Sequence, residues 1–143
     1  SWTEVNDLNT GRSQTLGGAG NNTDALFAGG GPPTTTKTES WNGTSWTEVN
    51  DLHTGRDDLG GFGTSTSALA FSGEAPPAIA NTESWNGTNW TNENDINTGR
   101  INPMGSGIST LGLAFGGDPG PEASTLTEEW YGNSNFSKTV TTD

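Results

Sequence analysis

The chain has 143 residues, 17 acidic against 5 basic side chains, a formal net charge of −12 at pH 7, and no cysteine. This length corresponds to one domain, and the lack of cysteine excludes disulfides and thiol chemistry. The acidic excess argues against nucleic acid or an anionic membrane as a partner, because both require basic side chains for neutralisation. No run of about 18 apolar residues occurs, so no membrane-spanning helix is predicted.

A repeated segment determines the internal organisation of the chain. SWTEVNDLNTGR at Ser1–Arg12 returns as SWTEVNDLHTGR at Ser45–Arg56 and as NWTNENDINTGR at Asn89–Arg100, with 44 residues between successive copies (45 − 1 and 89 − 45). A fixed period of this length is typical of repeat architectures. We therefore predict a single repeat domain over 1–143, composed of a terminal strand at 1–10 and repeats at 11–54, 55–98 and 99–143.

Each repeat is predicted to contain four short strands bounded by turn residues, and no segment shows a helical period. The Asn-Gly pairs at 42–43 and 86–87 separate alternating runs and predict hairpins. In chain order the predicted strands are 2–8, 15–20, 25–30, 36–41, 46–52, 59–63, 68–72, 79–85, 90–95, 104–108, 111–116 and 124–130, followed by a terminal strand from Phe136. The chain is therefore predicted to be all-β.

Three ordered features recur in every repeat and resemble the kelch repeat, a four-stranded blade of a β-propeller. The first is an arginine before the first strand, the second an apolar strand ending in glycine, and the third a pair of aromatic residues. They are Arg12, Arg56 and Arg100; Phe27-Ala28-Gly29-Gly30, Phe71-Ser72-Gly73 and Phe115-Gly116-Gly117; and Trp41/Trp46, Trp85/Trp90 and Trp130/Phe136. The style of the repeats is similar to that of kelch-like repeats in marine bacteriophage and bacterial proteins. The resemblance implies a kelch-like β-propeller with about three blades per chain.

Three blades are fewer than the 4–8 of a typical propeller, and the predicted strand 2–8 lacks a blade of its own. We favour two chains closing into a six-bladed ring with strands exchanged at the seams, because C2 pairs are the commonest assemblies and closure removes edge strands. Two alternatives remain open. The chain could be a C-terminal piece of a longer propeller, or its three repeats could close in the manner of a β-trefoil.

Catalytic chemistry finds little support among the residue types. Galactose oxidase, a kelch-propeller enzyme, uses copper with a cysteine-linked tyrosine and histidine ligands, whereas this chain has one His, one Tyr and no Cys. That chemistry is excluded, and so is a histidine-rich zinc site. His53 occupies the position of Asn9 and Asn97 in the other copies, which indicates a turn residue.

The repeated charged residues are predicted to be structural. We expect Glu39, Glu83 and Glu128 to form ion pairs with the repeated arginines, since these arginines are three of the five basic residues. Asp7, Asp51 and Asp95 are expected to cap the turn after each fourth strand. Trp46 and Trp90 are assigned to the cores of the blades.

The remaining candidates concern binding. Trp41, Trp85 and Trp130 could stack on sugars, and Asp118 and Glu74 lie in the proline-containing loops between second and third strands. No cofactor is predicted, although the acidic loops leave calcium binding open. The sequence thus predicts a non-enzymatic recognition or structural module, on a virus particle or as a cell-surface adhesin, that binds a glycan or a protein. The alternative is a carbohydrate-active enzyme that uses acidic loop residues.

Overall fold

The computed structural model describes residues 1–13, 18–120 and 123–132. Within these residues the fold is all-β, as predicted, and its strands form three separate sheets that we call blades. Blade 1 contains β1 (Ala19–Gly20), β2 (Ala25–Ala28), β3 (Thr38–Trp41) and β4 (Trp46–Val49). Blade 2 contains β5 (Gly60–Thr64), β6 (Ser67–Phe71), β7 (Thr82–Trp85) and β8 (Trp90–Asn92), and blade 3 contains β9 (Met104–Ile108), β10 (Leu111–Phe115) and β11 (Thr127–Tyr131).

Each blade is an antiparallel meander in which consecutive strands are hydrogen-bonded neighbours. Asn-Gly pairs close the outer hairpins of blades 1 and 2, as predicted. Gly43 has a φ of +89°, and the Asn42 side chain accepts hydrogen bonds of 2.9 Å from the backbone N–H groups of Thr44 and Ser45. Asn86 and Gly87 repeat this arrangement. The asparagine thus satisfies donors that the loop would otherwise leave unpaired.

The blades pack face to face in chain order, and their first strands lie side by side, β1 beside β5 and β5 beside β9. Between blades 1 and 2 lies a core built from Leu26, Leu52, Leu59, Ala68, Ala70, Trp85 and Trp90. Between blades 2 and 3 lies a second core of Phe62, Leu69, Phe71 and Ala114. Both faces of blade 2 are therefore covered, and each large apolar side chain buried there contributes about 1.5–3 kcal/mol.

Glycines allow blade 3 to approach blade 2 closely. A side chain at Gly112 would collide with the ring of Phe62, and one at Gly105 would stand 2.7 Å from that ring and 2.8 Å from Phe71. The absence of Cβ at these positions lets the two phenyl rings lie directly on the backbone of β9 and β10. These two glycines, one on β9 and one on β10, therefore bring blade 3 close to blade 2.

Four predictions need correction or lie wholly or partly outside the described residues. Residues 2–8 form no strand, because no neighbouring strand offers them a ladder of backbone hydrogen bonds. Within residues 1–13, 18–120 and 123–132 the three repeats do not close on one another as the trefoil alternative expected, since Leu111, Leu113 and other apolar residues on the far face of blade 3 remain exposed. The terminal strand from Phe136 and residues 15–17 of the first predicted strand lie outside the described residues.

Candidate functional site

The repeated arginines and glutamates form one buried ion pair in each blade, which we call the Arg–Glu lock. The structure places Arg12 beside Glu39, Arg56 beside Glu83 and Arg100 beside Glu128, at N–O distances of 2.7, 3.1 and 2.5 Å. All three arginine side chains are buried, and so are the carboxylates of Glu39 and Glu83. These are the pairs predicted from the sequence.

The carboxylate of each lock also accepts backbone hydrogen bonds from the segment that enters the blade. The N–H groups of Asn9, His53 and Asn97 donate to the glutamate of the following blade, at 2.8, 2.8 and 2.6 Å. In each lock, hydrogen bonds to the glutamate therefore link the connection from the preceding repeat to the third strand of the next blade. A buried carboxylate with several donors is well satisfied, which is what burial of a charge requires.

The hydrogen bonds and charges of the locks shift the pKa values of their members. Burial raises the pKa of Glu39, but hydrogen bonds from Asn9 and the charge of Arg12 outweigh burial and hold that pKa below its ordinary value. The pKa of Glu128 is lowered for similar reasons, with burial opposed by Arg100 and the incoming segment. Burial lowers the pKa of Arg56, an effect that Glu83 and Asp95 oppose. The Glu39 and Glu128 carboxylates are thus held ionised and serve the fold.

The tryptophans proposed for sugar stacking are mostly part of the core. Trp41 and Trp85 are buried, and the indole N–H of each donates a 3.0 Å hydrogen bond to a carbonyl of the first hairpin of its own blade. Each also packs against the tryptophan of the fourth strand, with centroids 5.5 Å apart for Trp46 and 5.4 Å apart for Trp90. Neither Trp41 nor Trp85 offers a free ring face to a sugar. Trp130 is partly exposed, with its N–H donating to Ser109.

The predicted turn residues have different partners from those expected. Asp51 and Asp95 do not cap the turn after the fourth strand; they accept 3.3 Å hydrogen bonds from the backbone N–H groups of Thr38 and Thr82, which begin the third strands. His53 lies in the turn before Arg56, as predicted. Its Nδ1 is 3.0 Å from the Asn92 side chain.

Three acidic side chains lie close together at one end of blade 2, where Asp57 and Asp58 precede β5 and Glu74 follows β6. We call these three residues the loop-face cluster. Their carboxylate oxygens lie within 4.8 Å of one another, and all three residues are partly exposed. An antiparallel bridge places Asp57 opposite Glu74, with backbone N–O distances of 3.0 and 2.8 Å. Burial, with a smaller contribution from the Asp57 charge, raises the pKa of Asp58. Such oxygens are ligands that calcium accepts, although backbone or water oxygens would have to complete its shell.

Asp57 and Asp58 are not among the residues predicted from the sequence, although the repeat pattern contains a signal for the position of Asp57. The residue after each repeated arginine pairs with the residue after each glycine turn, giving Ser13 opposite Gly31 and Ile101 opposite Asp118 in the other repeats. Aligning the repeats on both motifs would have placed Asp57 opposite Glu74. Asp118 itself accepts a 3.0 Å hydrogen bond from the backbone of Gly120 and occupies the corresponding loop of blade 3.

Comparisons with known proteins support the fold and add no function. No family model matches the sequence, and no curated protein matches it. A solved structure described as "Structure of YjhT" superposes with a TM-score of 0.72 at 14% sequence identity, covering 87% of this chain and 44% of that chain. The chain thus shares its fold with this structure but spans less than half of its length. Within the parts of the chain that the structure describes, no helix is long and apolar enough to cross a membrane.

Proposed function

We propose that the chain is a non-enzymatic recognition module of kelch-like propeller type, which contacts a glycan or a protein through the loops between second and third strands. The supporting observation is that the charged residues that recur in every repeat are buried, whereas acidic residues that do not recur are partly exposed. The repeated arginines and glutamates are buried in the Arg–Glu locks. In the loop-face cluster both bridged residues, Asp57 and Glu74, are acidic, whereas the equivalent bridges pair Ser13 with Gly31 and Ile101 with Asp118. Unrepeated polar residues on loops above a rigid scaffold are typical of binding sites.

The chemistry of the cluster defines the class of ligand. Partly exposed carboxylates accept hydrogen bonds from sugar hydroxyls and pair with basic side chains of a protein. Stacking on Trp41 and Trp85 is not part of the proposal, because both rings are buried. The proposal extends to display at a virion or cell surface, where an acidic surface favours solubility.

A second candidate is a carbohydrate-active enzyme, and one observation favours it. Asp58 has a raised pKa and lies beside Asp57. Glycoside hydrolases pair a carboxylic acid of raised pKa with an ionised carboxylate. In this second candidate Asp58 would act as the acid and Asp57 would be the second carboxyl group of the pair.

One set of variants tests both candidates. Binding to glycan and protein arrays and turnover of a polysaccharide panel are measured for the wild-type chain, for Asp57→Asn combined with Glu74→Gln, and for Asp58→Asn. Glu48→Gln serves as the control, because Glu48 is an exposed carboxylate on β4 of blade 1 and is not part of the loop-face cluster. The recognition proposal expects binding without turnover, at least about tenfold weaker in the double variant and unchanged in the control. Turnover that Asp58→Asn abolishes contradicts that proposal and supports the enzyme.

A further inference from the structure

Blade 3 presents an apolar face on the side opposite blade 2. Alternation along β10 places Leu111, Leu113 and Phe115 on this face, and Met104 of β9 lies opposite Phe115 in the register. All four side chains are exposed. A shallow groove of about 340 Å³ runs over this face and is lined by Leu111 and Leu113 among others. A contiguous exposed apolar surface of this kind marks an interaction site.

The same positions in blade 2 show what covers such a face. Ser72 and Gly116 share a left-handed conformation directly after the second strand, with φ of +58° and +66°. This aligns Leu69 with Leu113 and Phe71 with Phe115. Leu69 and Phe71 are buried because blade 3 packs on them. The partner of such a face is therefore another blade.

Blade 1 carries the complementary surface at the other end of the chain. In the core between blades 1 and 2, blade 2 contributes Ala68, Ala70, Trp85 and Trp90. The equivalent residues of blade 1 are Ala25, Phe27, Trp41 and Trp46, and they lie on the side facing away from blade 2. Ala68 is buried by blade 1, whereas Ala25 remains partly exposed. The first blade thus has the kind of surface that packs on a face like that of blade 3.

The segment before blade 1 makes the same contact as the segment that connects blade 1 to blade 2. The Asn6 side chain donates to the carbonyl of Thr44 at 2.7 Å, as the Asn50 side chain donates to Thr88 at 2.9 Å. Val5 therefore occupies the position of Val49, which packs against the core between blades 1 and 2. Val5 is exposed in the single chain. This segment, too, is arranged for a neighbour that the single chain lacks.

We propose that the face of blade 3 docks on the outer face of blade 1 of a second copy, and that two chains close in this way into one six-bladed ring. Both surfaces are present on every chain and use the strand positions that pack against each other twice inside the chain, with Ser106 in the place of Phe62 and Phe27 in the place of Ala70. The matched solved structure has the same fold in a chain more than twice the aligned length, since this chain covers 44% of it. A head-to-tail interface forms a ring when its rotation closes. This inference does not depend on the identity of any ligand.

The first test is the absolute mass of the wild-type chain by light scattering over a range of concentrations. The expected mass is twice 14.8 kDa at high concentration. A wild-type mass of one chain up to about 100 µM, or an open-ended series of larger species, overturns the proposal.

Three variants then locate the interface. Leu113→Lys introduces a charge into the docking face, and Ala25→Glu introduces one into the opposing face. Each variant alone is expected to weaken dimerisation roughly 100-fold or more, because an unpaired charge becomes buried in both seams. Leu126→Lys is the matched control: Leu126 is 42% exposed against 41% for Leu113, but it lies in the loop before β11. Lys37 occupies the equivalent position in blade 1, so a lysine is compatible with that site.

Mixing the two disruptive variants gives an outcome that misfolding cannot mimic. A mixed pair has one seam with Lys against Glu and one wild-type seam, so the dimer mass is expected to return. A mixture that remains monomeric, or a Leu113→Lys chain that dimerises as well as Leu126→Lys, contradicts the proposed interface. Thermal unfolding of each variant alone shows whether the single chain is still folded.

Discussion

The Arg–Glu lock of blade 2 makes a quantitative prediction about stability. Glu83 is buried, accepts a 3.1 Å hydrogen bond from Arg56 and receives the backbone N–H of His53 at 2.8 Å. Glu83→Gln keeps the size of the side chain but removes the charge that compensates a fully buried guanidinium. Removing one partner of a buried pair costs about 3–5 kcal/mol. Since a domain of this size is stable by about 5–15 kcal/mol, the variant is expected to fold but to lose a large part of its stability.

The matched control is Glu48→Gln. Glu48 pairs with Lys37 at 2.8 Å, a shorter distance than the lock of blade 2, but the side chains are 51% and 37% exposed. An exposed pair contributes about 0–1 kcal/mol because water and salt screen it. The two variants therefore make the same chemical change to ion pairs of similar geometry and differ in burial.

Urea denaturation followed by tryptophan fluorescence measures both variants at one fixed protein concentration. With a typical slope of about 2 kcal/mol per M, Glu83→Gln is expected to lower the midpoint by roughly 2 M and Glu48→Gln by less than about 0.5 M. Adding Arg56→Met to Glu83→Gln removes the uncompensated charge, so the double variant should be no less stable than Glu83→Gln. Equal midpoints for Glu83→Gln and Glu48→Gln would refute the claim that burial makes the carboxylate of the lock costly to remove.

Three further outcomes are expected. The pKa values of Glu39 and Glu128 are lowered in the folded chain. The stability that these carboxylates contribute is therefore present above their ordinary pKa of 4.5 and is lost as the pH falls through their pKa values in the folded chain. Urea midpoints at pH 7, 4.5 and 3 should show this loss of stability, and Glu39→Gln should make the loss smaller. Asp58 has a raised pKa and a φ of +48°, so Asp58→Asn should raise the stability at pH 7 slightly, because solvent screens most of the effect, and the gain should disappear as the wild-type carboxyl is protonated at lower pH. Gly112→Ala should cost about 1–3 kcal/mol by thermal unfolding because its methyl group meets a phenyl ring, whereas Gly11→Ala, which has open space and no positive φ, should cost less than about 1 kcal/mol.

The sequence determined the fold well where one repeat could be compared with another. The repeated arginines and glutamates could be predicted as pairs because each recurs once per repeat and the arginines are three of the five basic residues, and the hairpins at Asn42 and Asn86 followed from local turn chemistry. Alignment by residue type was less reliable. Phe27 was aligned with Phe71, but the left-handed residues Gly29 and Ser72 show that Ala28 is the equivalent of Phe71. Phe27 faces the other way and lies over the guanidinium of Arg12 at 4.9 Å.

The candidate site was less predictable for a physical reason. A side chain's availability depends on which blade covers it, and single-strand patterns do not contain that information. Leu69 and Leu113 occupy equivalent positions, yet Leu69 is buried beneath blade 3 and Leu113 is exposed. The loop-face cluster arises from a bridge between Asp57 and Glu74, which are 17 residues apart (74 − 57). Such a contact follows from the positions of two turns and not from either segment alone.

The locks also explain how a chain with 27% hydrophobic residues holds three blades together. Each apolar core between blades is thin, but each lock adds a buried ion pair and a backbone hydrogen bond between an incoming connection and the next third strand. Because the glutamate of one blade holds the segment leaving the previous blade, weakening one lock loosens two adjacent blades. Glu83 lies between the two cores, whereas Glu39 has a described blade on one side. Loss of the Glu83 carboxylate should therefore destabilise the chain more than loss of Glu39, unless a second copy packs on blade 1 and removes the difference.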